Sequence, residues 1–336
     1  MDLLKDTLDY LVKQQDFKPG EYYGSFWSEK AYHGPLLDWH AGGSHHHRGT
    51  ASAALCLWQE GIKKNDATMM HNAEEAFDWL VSRQNQRGGW TEIQNNEKPS
   101  DWEHTGLEEL STIETAFAVH GLGMALLGGL APKKSYMDSL QKAGHWFLSI
   151  EWPAGSGVFP HHERSPYDTL NAGAHSIESL FLIYKTLKKI YSKTINIFHA
   201  GALRGLNNLL KNQWTDGCYP YRDYGASTIN YTSLVIWCIL NSFDILEKQE
   251  IDPDLKKKTF DSFSRASEFL GSCIDADGSL LWEKNETTTA KYNIWTYAIT
   301  INVLRRLSGK RNIENSDKLF KYDSVCQVAH ILFLTV

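Results

Sequence analysis

The chain has 336 residues, of which 42% are hydrophobic and 22% charged, and its formal net charge is −6. That balance excludes a disordered chain, and without clustered Lys and Arg it excludes a nucleic-acid footprint. No run reaches the roughly 20 apolar residues that span a bilayer, and Met1 to Asp6 lacks a signal-peptide pattern, so a cytoplasmic protein with no membrane partner is expected.

The predicted elements follow a repeat. A first helix ends in Tyr10-Leu11-Val12-Lys13-Gln14-Gln15, with Gly20 and Tyr22 after it, and a more apolar helix then runs near 50–62 from Thr50-Ala51-Ser52-Ala53. An amphipathic helix from Ala73 to Arg83 ends in Trp79-Leu80-Val81-Ser82-Arg83-Gln84; Gly88-Gly89-Trp90 and an apolar helix near 111–127 follow. Next come Trp146 to Glu151 with Gly155 and a helix near 169–187, then Leu209 to Gln213 with Gly217-Cys218-Tyr219 and a helix near 227–247. The fifth copy has Phe269 to Ile274, Gly278, Trp282 and a helix near 288–307, and Asn312 to Phe320 with Tyr322 to Leu334 supplies material for a sixth.

The glycines at 20, 88, 155, 217 and 278 are 68, 67, 62 and 61 residues apart, each interval long enough for two helices and their connections. Ser and Thr near the second-helix starts are natural N-caps. Amphipathic outer helices alternating with apolar inner ones close as a ring, which predicts an all-α, α/α toroid of five to six hairpins spanning 1–336 as one domain. The cysteines Cys56, Cys218, Cys238, Cys273 and Cys326 are too scattered for a disulfide framework or a zinc motif and read as structural thiols.

The Gln-x-x-x-Gly-x-Trp phrasing at Gln84 to Trp90 resembles the repeat of the terpenoid cyclase and protein prenyltransferase toroids, whose architecture is shared by (α/α) polysaccharide lyases and glycoside hydrolases. The resemblance covers most of the chain as architecture. It implies a toroid with a site where the inner helices begin.

The loops leading into those helices collect polar and aromatic residues: His47 and Arg48 in the first, His104 and Glu114 in the second, Asn171 and His175 in the third, Arg222 and Tyr231 in the fourth, Trp282 and Tyr292 in the fifth. His47 or Arg48, Glu114, His175, Arg222, Tyr231 and Tyr292 are expected to converge on one pocket. Rings that stack on pyranose faces, with Arg to pair a carboxylate, suit a small-molecule or oligosaccharide substrate. The first expectation is β-elimination at a uronate of an acidic saccharide, with Tyr231, His175 and Glu114 as catalytic groups and His47, Arg48, His104, Asn171, Arg222, Tyr292 and Trp282 binding substrate; the resemblance implies the lyase roles.

Three alternatives stand beside it. A glycoside hydrolase needs two carboxyl groups roughly 5 to 9.5 Å apart, and Glu103, Glu114, Glu163, Asp168 and Asp223 form no recognisable pair in sequence. For a terpene cyclase the resemblance implies a DxDD motif, whereas this chain has only Asp275-Ala276-Asp277-Gly278. The third is a non-catalytic carbohydrate-binding toroid. No cofactor is expected, and no metal, because His46 cannot face the same way as His45 and His47 and no second cluster at zinc spacing accompanies them.

Overall fold

A computed structural model describes residues 3–28, 44–91, 109–163, 165, 169–191, 196–221, 228–246, 250–274, 280–281 and 294–311. Among them are ten helices: α1 (Leu3–Lys13), α2 (His47–Lys64), α3 (Ala67–Ser82), α4 (Thr112–Leu127), α5 (Lys134–Ile150), α6 (Leu170–Tyr191), α7 (Asn196–Lys211), α8 (Ile229–Ile245), α9 (Pro253–Ser272) and α10 (Ile294–Arg311). The even-numbered helices are the expected inner set, with α10 starting six residues later than the sequence pattern places it. Residues 312–334, the expected sixth hairpin, lie outside the described residues.

Burial separates the layers. On α3, Ala73, Ala76, Phe77 and Leu80 form one fully covered stripe at helical spacing, while His71 stays in solvent. The inner helix α6 is covered on every side from Leu170 to Tyr184, as an inner helix must be. Side-chain pairs show that the inner helices run parallel and in register. Phe117 and His120 of α4 meet His175 and Glu178 of α6, and these meet Cys238 and Asn241 of α8. In turn Ser233 and Asn241 of α8 meet Thr300 and Arg306 of α10. Between α2 and α4 the approach is backbone to backbone: a Cβ on Gly121 would stand 2.7 Å from the Ala51 carbonyl oxygen. Parallel inner helices, each preceded by an outer helix that returns the chain, make an α/α toroid. No helix among the described residues is long and apolar enough to cross a membrane.

The seams between hairpins explain the repeat. Gly24, Gly88, Gly157 and Gly217 all have positive φ, between 80° and 107°. A Cβ on them would lie 2.5, 2.4, 2.5 and 2.2 Å from the carbonyl oxygens of Glu75, Lys142, Arg204 and Arg265, on the next outer helices α3, α5, α7 and α9. Glycine is needed twice over, for the left-handed backbone and for the close approach. The Gln that precedes the turn ties the two hairpins together. Gln84 Nε2 donates to the Gly88 carbonyl (2.7 Å) and the Ser139 carbonyl of α5 (2.9 Å), and Gln213 does the same to Gly217 and Ser262 (both 3.0 Å). Gln15 serves Gly24 (2.9 Å) and Asn72 (2.7 Å). In the third hairpin the residue is Glu151, which accepts from the Gly157 N–H at 2.6 Å and pairs with Arg204 at 2.8 Å.

This corrects the sequence alignment of the repeats: Gly24 and Gly157, not Gly20 and Gly155, occupy the seams. Turn length is the reason. The second and fourth turns place glycine four residues after the Gln, whereas the first and third place it nine and six after Gln15 and Glu151. Nothing lies within 4 Å of a Cβ on Gly20 or Gly155. The aromatic two residues past each seam glycine is Phe26, Trp90, Phe159 or Tyr219, all buried. Backbone N–H groups of Phe26, Trp90 and Tyr219 donate to Thr50, Thr115 and Thr232 in the first turns of inner helices, at 2.9 to 3.1 Å. Short antiparallel pairs, β1 (Trp27–Ser28) with β2 (Ser44–His45) and β3 (Trp90–Thr91) with β4 (Leu110–Ser111), bind the first two turns to the starts of α2 and α4.

Candidate functional site

At the starts of α2 and α4, Glu114 is held in place by Arg48. The Arg48 backbone N–H donates to Glu114 Oε2 at 2.9 Å, and the guanidinium Nε lies 3.3 Å from Oε1. The Ser111 hydroxyl caps α4 through the Glu114 N–H, and the acid sits in the first turn, where the helix dipole favours it. The Arg48 guanidinium carbon lies 6.0 Å from the Phe117 ring centre.

One turn deeper, the ring of His175 lies 5.3 Å from Phe117 and 6.4 Å, edge to face, from Trp237. Its Nδ1 is 3.4 Å from Cys238 Sγ. Among the described residues its Nε2 has no hydrogen-bond partner. The next residue on this face of α6 is Glu178, because three positions is nearly one helical turn. Its Oε1 accepts from His120 Nδ1 at 2.8 Å and from Asn241 Nδ2 at 2.9 Å. Arg306 of α10 closes the chain of contacts, donating to Asn241 Oδ1 at 2.8 Å and to Asp244 Oδ2 at 2.6 Å. One connected group therefore draws on all five inner helices.

Burial dominates the electrostatics. It pushes His175 down to about 4; the Glu178 charge opposes this, while His120 and Arg48 reinforce it. His175 is therefore a neutral imidazole at neutral pH. Burial also works against ionisation of Glu178, but the charge and hydrogen bond of His120, with help from His175 and Asn241, hold its carboxyl below the usual range. Burial, with Glu178 adding to it, keeps Cys238 a protonated thiol.

No family profile matches the chain, and no curated protein matches it in sequence. Solved structures do match. Cellobiose 2-epimerase from Bacillus thermoamylovorans B4167 aligns at TM-score 0.66 and 12% identity, over 99% of this chain and 85% of its own. A D-mannose isomerase aligns at 0.62 and 14%, over 98% and 83%. The GH76 α-mannanase BT2949 of Bacteroides thetaiotaomicron aligns at 0.55 and 12%, over 80% and 71%. The chain shares their fold. A polysaccharide lyase also aligns, so the likeness extends over several chemistries and fixes none of them.

Of the residues singled out from sequence, Arg48, Glu114 and His175 belong to the connected group. Asn171 lies one turn before His175 on the same face of α6, and its Oδ1 has no hydrogen-bond partner among the described residues. His47 turns toward the outer layer: its Nδ1 is 3.0 Å from the Thr91 carbonyl and its ring packs 5.4 Å from Trp79 of α3. Tyr231 stacks on Tyr221 at 4.6 Å, two turns nearer the helix start than Cys238. His104, Arg222, Trp282 and Tyr292 lie outside the described residues. The sequence reading missed His120, Glu178, Trp237, Cys238, Asn241 and Arg306. The spacing His175-x-x-Glu178 was the available signal, since it sets a base and a carboxylate on one helix face.

Proposed function

We propose that this chain is a carbohydrate-active enzyme that moves a proton at the carbon beside a sugar carbonyl, as a 2-epimerase or aldose–ketose isomerase does. The observation that carries the reading is His175: a neutral imidazole between two aromatic rings, with Nδ1 facing Cys238 and Nε2 left open. Flanking rings suit the apolar face of a pyranose or its opened chain. His175 Nε2 takes the C2 proton; the C–H electron pair forms the C1–C2 double bond, and the carbonyl oxygen becomes the oxyanion of an enediolate. Returning the proton to C1 while the O2 proton passes to O1 gives the ketose, and returning it to C2 after the opened chain has turned its other face to His175 gives the epimer. Arg48, held by Glu114, is the cation toward which that oxyanion is oriented, and Asn171 Oδ1 accepts from a sugar hydroxyl. In this reading Glu114 positions Arg48.

The epimerase and the isomerase align over nearly the whole chain, the mannanase over 80% of it. Abstraction of a proton α to a carboxylate begins β-elimination too, and Arg48 would serve a uronate equally well, so an acidic saccharide is the second reading. The test is product identity. With mannose, glucose or cellobiose, nuclear magnetic resonance should show the C2 epimer or the ketose. Inert neutral sugars, together with the ultraviolet absorbance of an unsaturated uronate from acidic polysaccharide, would transfer the assignment to elimination. New reducing ends without that absorbance would transfer it to hydrolysis.

A further inference from the structure

Among the described residues, three potential metal ligands come together in one place: His175, Glu178 and Cys238, each buried, with one ligand atom from each lying within 4.8 Å of the others. We infer that they form a binding site for a thiophilic divalent cation of the zinc type, and that loading it switches off the base. The switch rests on the function proposed above; the binding does not.

The donor set is sulfur, imidazole nitrogen and carboxylate oxygen, the mixture that zinc accepts and that harder cations do not. A tetrahedral zinc at ordinary bond lengths holds its ligand atoms about 3.5 Å apart. Cys238 Sγ and His175 Nδ1 are already 3.4 Å apart. The hydrogen bonds from His120 and Asn241 both fall on Glu178 Oε1, and the Cys238 thiol also bonds to that carboxylate, a contact that an ion between them would replace. Those bonds, from His120 and Asn241, orient the carboxylate as outer-shell partners do at metal centres. Charge also fits: a thiolate and a carboxylate supply two negative charges to a dication. The side chains facing the cluster that can carry positive charge are already engaged, His120 with Glu178 itself, Arg306 with Asn241 and Asp244, and Arg48 with Glu114. Three protein ligands leave a fourth position for water or a sugar hydroxyl.

On binding, the Cys238 thiol gives its proton to solvent and the thiolate takes the metal. His175 binds through Nδ1, the nitrogen beside the sulfur, so the single ring proton must sit on Nε2. The lone pair that would accept the C2 proton is then gone.

Cobalt(II) is the probe. Added to the full, reduced chain, one equivalent should produce thiolate-to-cobalt absorption in the near ultraviolet and tetrahedral bands in the visible, both lost on adding zinc. Cys238→Ala should abolish the near-ultraviolet band, while Cys273→Ala, at a buried thiol elsewhere, should keep it. If Cys238→Ala does not fold, Glu178→Gln provides the check, with cobalt binding weakened at least tenfold. No sulfur band at excess cobalt, or a band that persists in Cys238→Ala, overturns the site. Because binding is read by absorbance, it is judged whatever the sugar assays give. Zinc that binds without slowing sugar turnover overturns the switch alone.

Discussion

At the seams between hairpins one solution recurs in four turns, whereas around the axis each inner helix supplies something different. Gly24, Gly88, Gly157 and Gly217 share a positive φ and a backbone contact with the next outer helix. At one level of the axis, the parallel register sets His120, Glu178, Asn241 and Arg306 side by side, four unlike side chains from four equivalent positions. Repetition builds the ring, and departure from repetition builds the site. Substitutions in the two regions should therefore separate stability from turnover.

The largest effect is expected at the axis. His175→Asn removes the proton acceptor while keeping a small polar side chain, so turnover should fall by about 100 to 10,000 fold with little change in melting temperature. A variant that melts early and loses activity only in proportion to its unfolded fraction would place His175 with the seams. At the seams the outcome reverses. Gly157→Ala combines a left-handed backbone with a carbonyl 2.5 Å from the new methyl group and should cost about 3 kcal/mol or more in denaturant unfolding. Its folded fraction should keep full turnover. Gly155→Ala, with φ +81° but open space around it, should cost only about 1 kcal/mol, and equal costs at the two positions would remove the corrected repeat alignment. Between these two costs lies Gln213→Ala, which strips hydrogen bonds from the Gly217 and Ser262 carbonyls and should cost about 2 kcal/mol.

The last prediction concerns pH, measured with a chelator present. The base must be neutral, so kcat/KM should fall as pH drops through about 4 and stay level across 6.5, the ordinary histidine value. Stability follows the same sign. Between about 4 and 6.5 the unfolded chain binds the His175 proton and the folded chain does not, so stability should rise with pH through that window. The depressed Glu178 carboxyl adds stability above the ordinary carboxylate range, which is lost as pH falls through its folded value. An acidic limb centred near 6.5 would mean that His175 titrates as an exposed imidazole does.

The contrast also explains what the sequence made legible. Local signals carried the hairpins: the Gln84-x-x-x-Gly88-x-Trp90 phrasing recurs at Gln213 because each copy meets the same backbone requirement. They failed at Gly20 and Gly155, where turn length varies and only the neighbouring helix decides which glycine is needed. Asn171 and His175 were visible as two polar residues one turn apart on an apolar helix. His120, Cys238 and Asn241 were not, since each reads in its own helix as one polar residue in an apolar run. Their partners lie 58 to 63 residues away, and only the parallel register brings them together. The metal inference has the same origin, because no spacing rule joins Cys238 to a His-x-x-Glu pair on another helix.

The claim that the axis group is a proton-transfer site is tested most directly by isotope exchange. A reducing sugar such as mannose, incubated with the protein in deuterated water, should gain deuterium at C2, and His175→Asn should lose that exchange while remaining folded by circular dichroism. Deuterium entering C2 at the same rate in both proteins would contradict the assignment of His175 as the base.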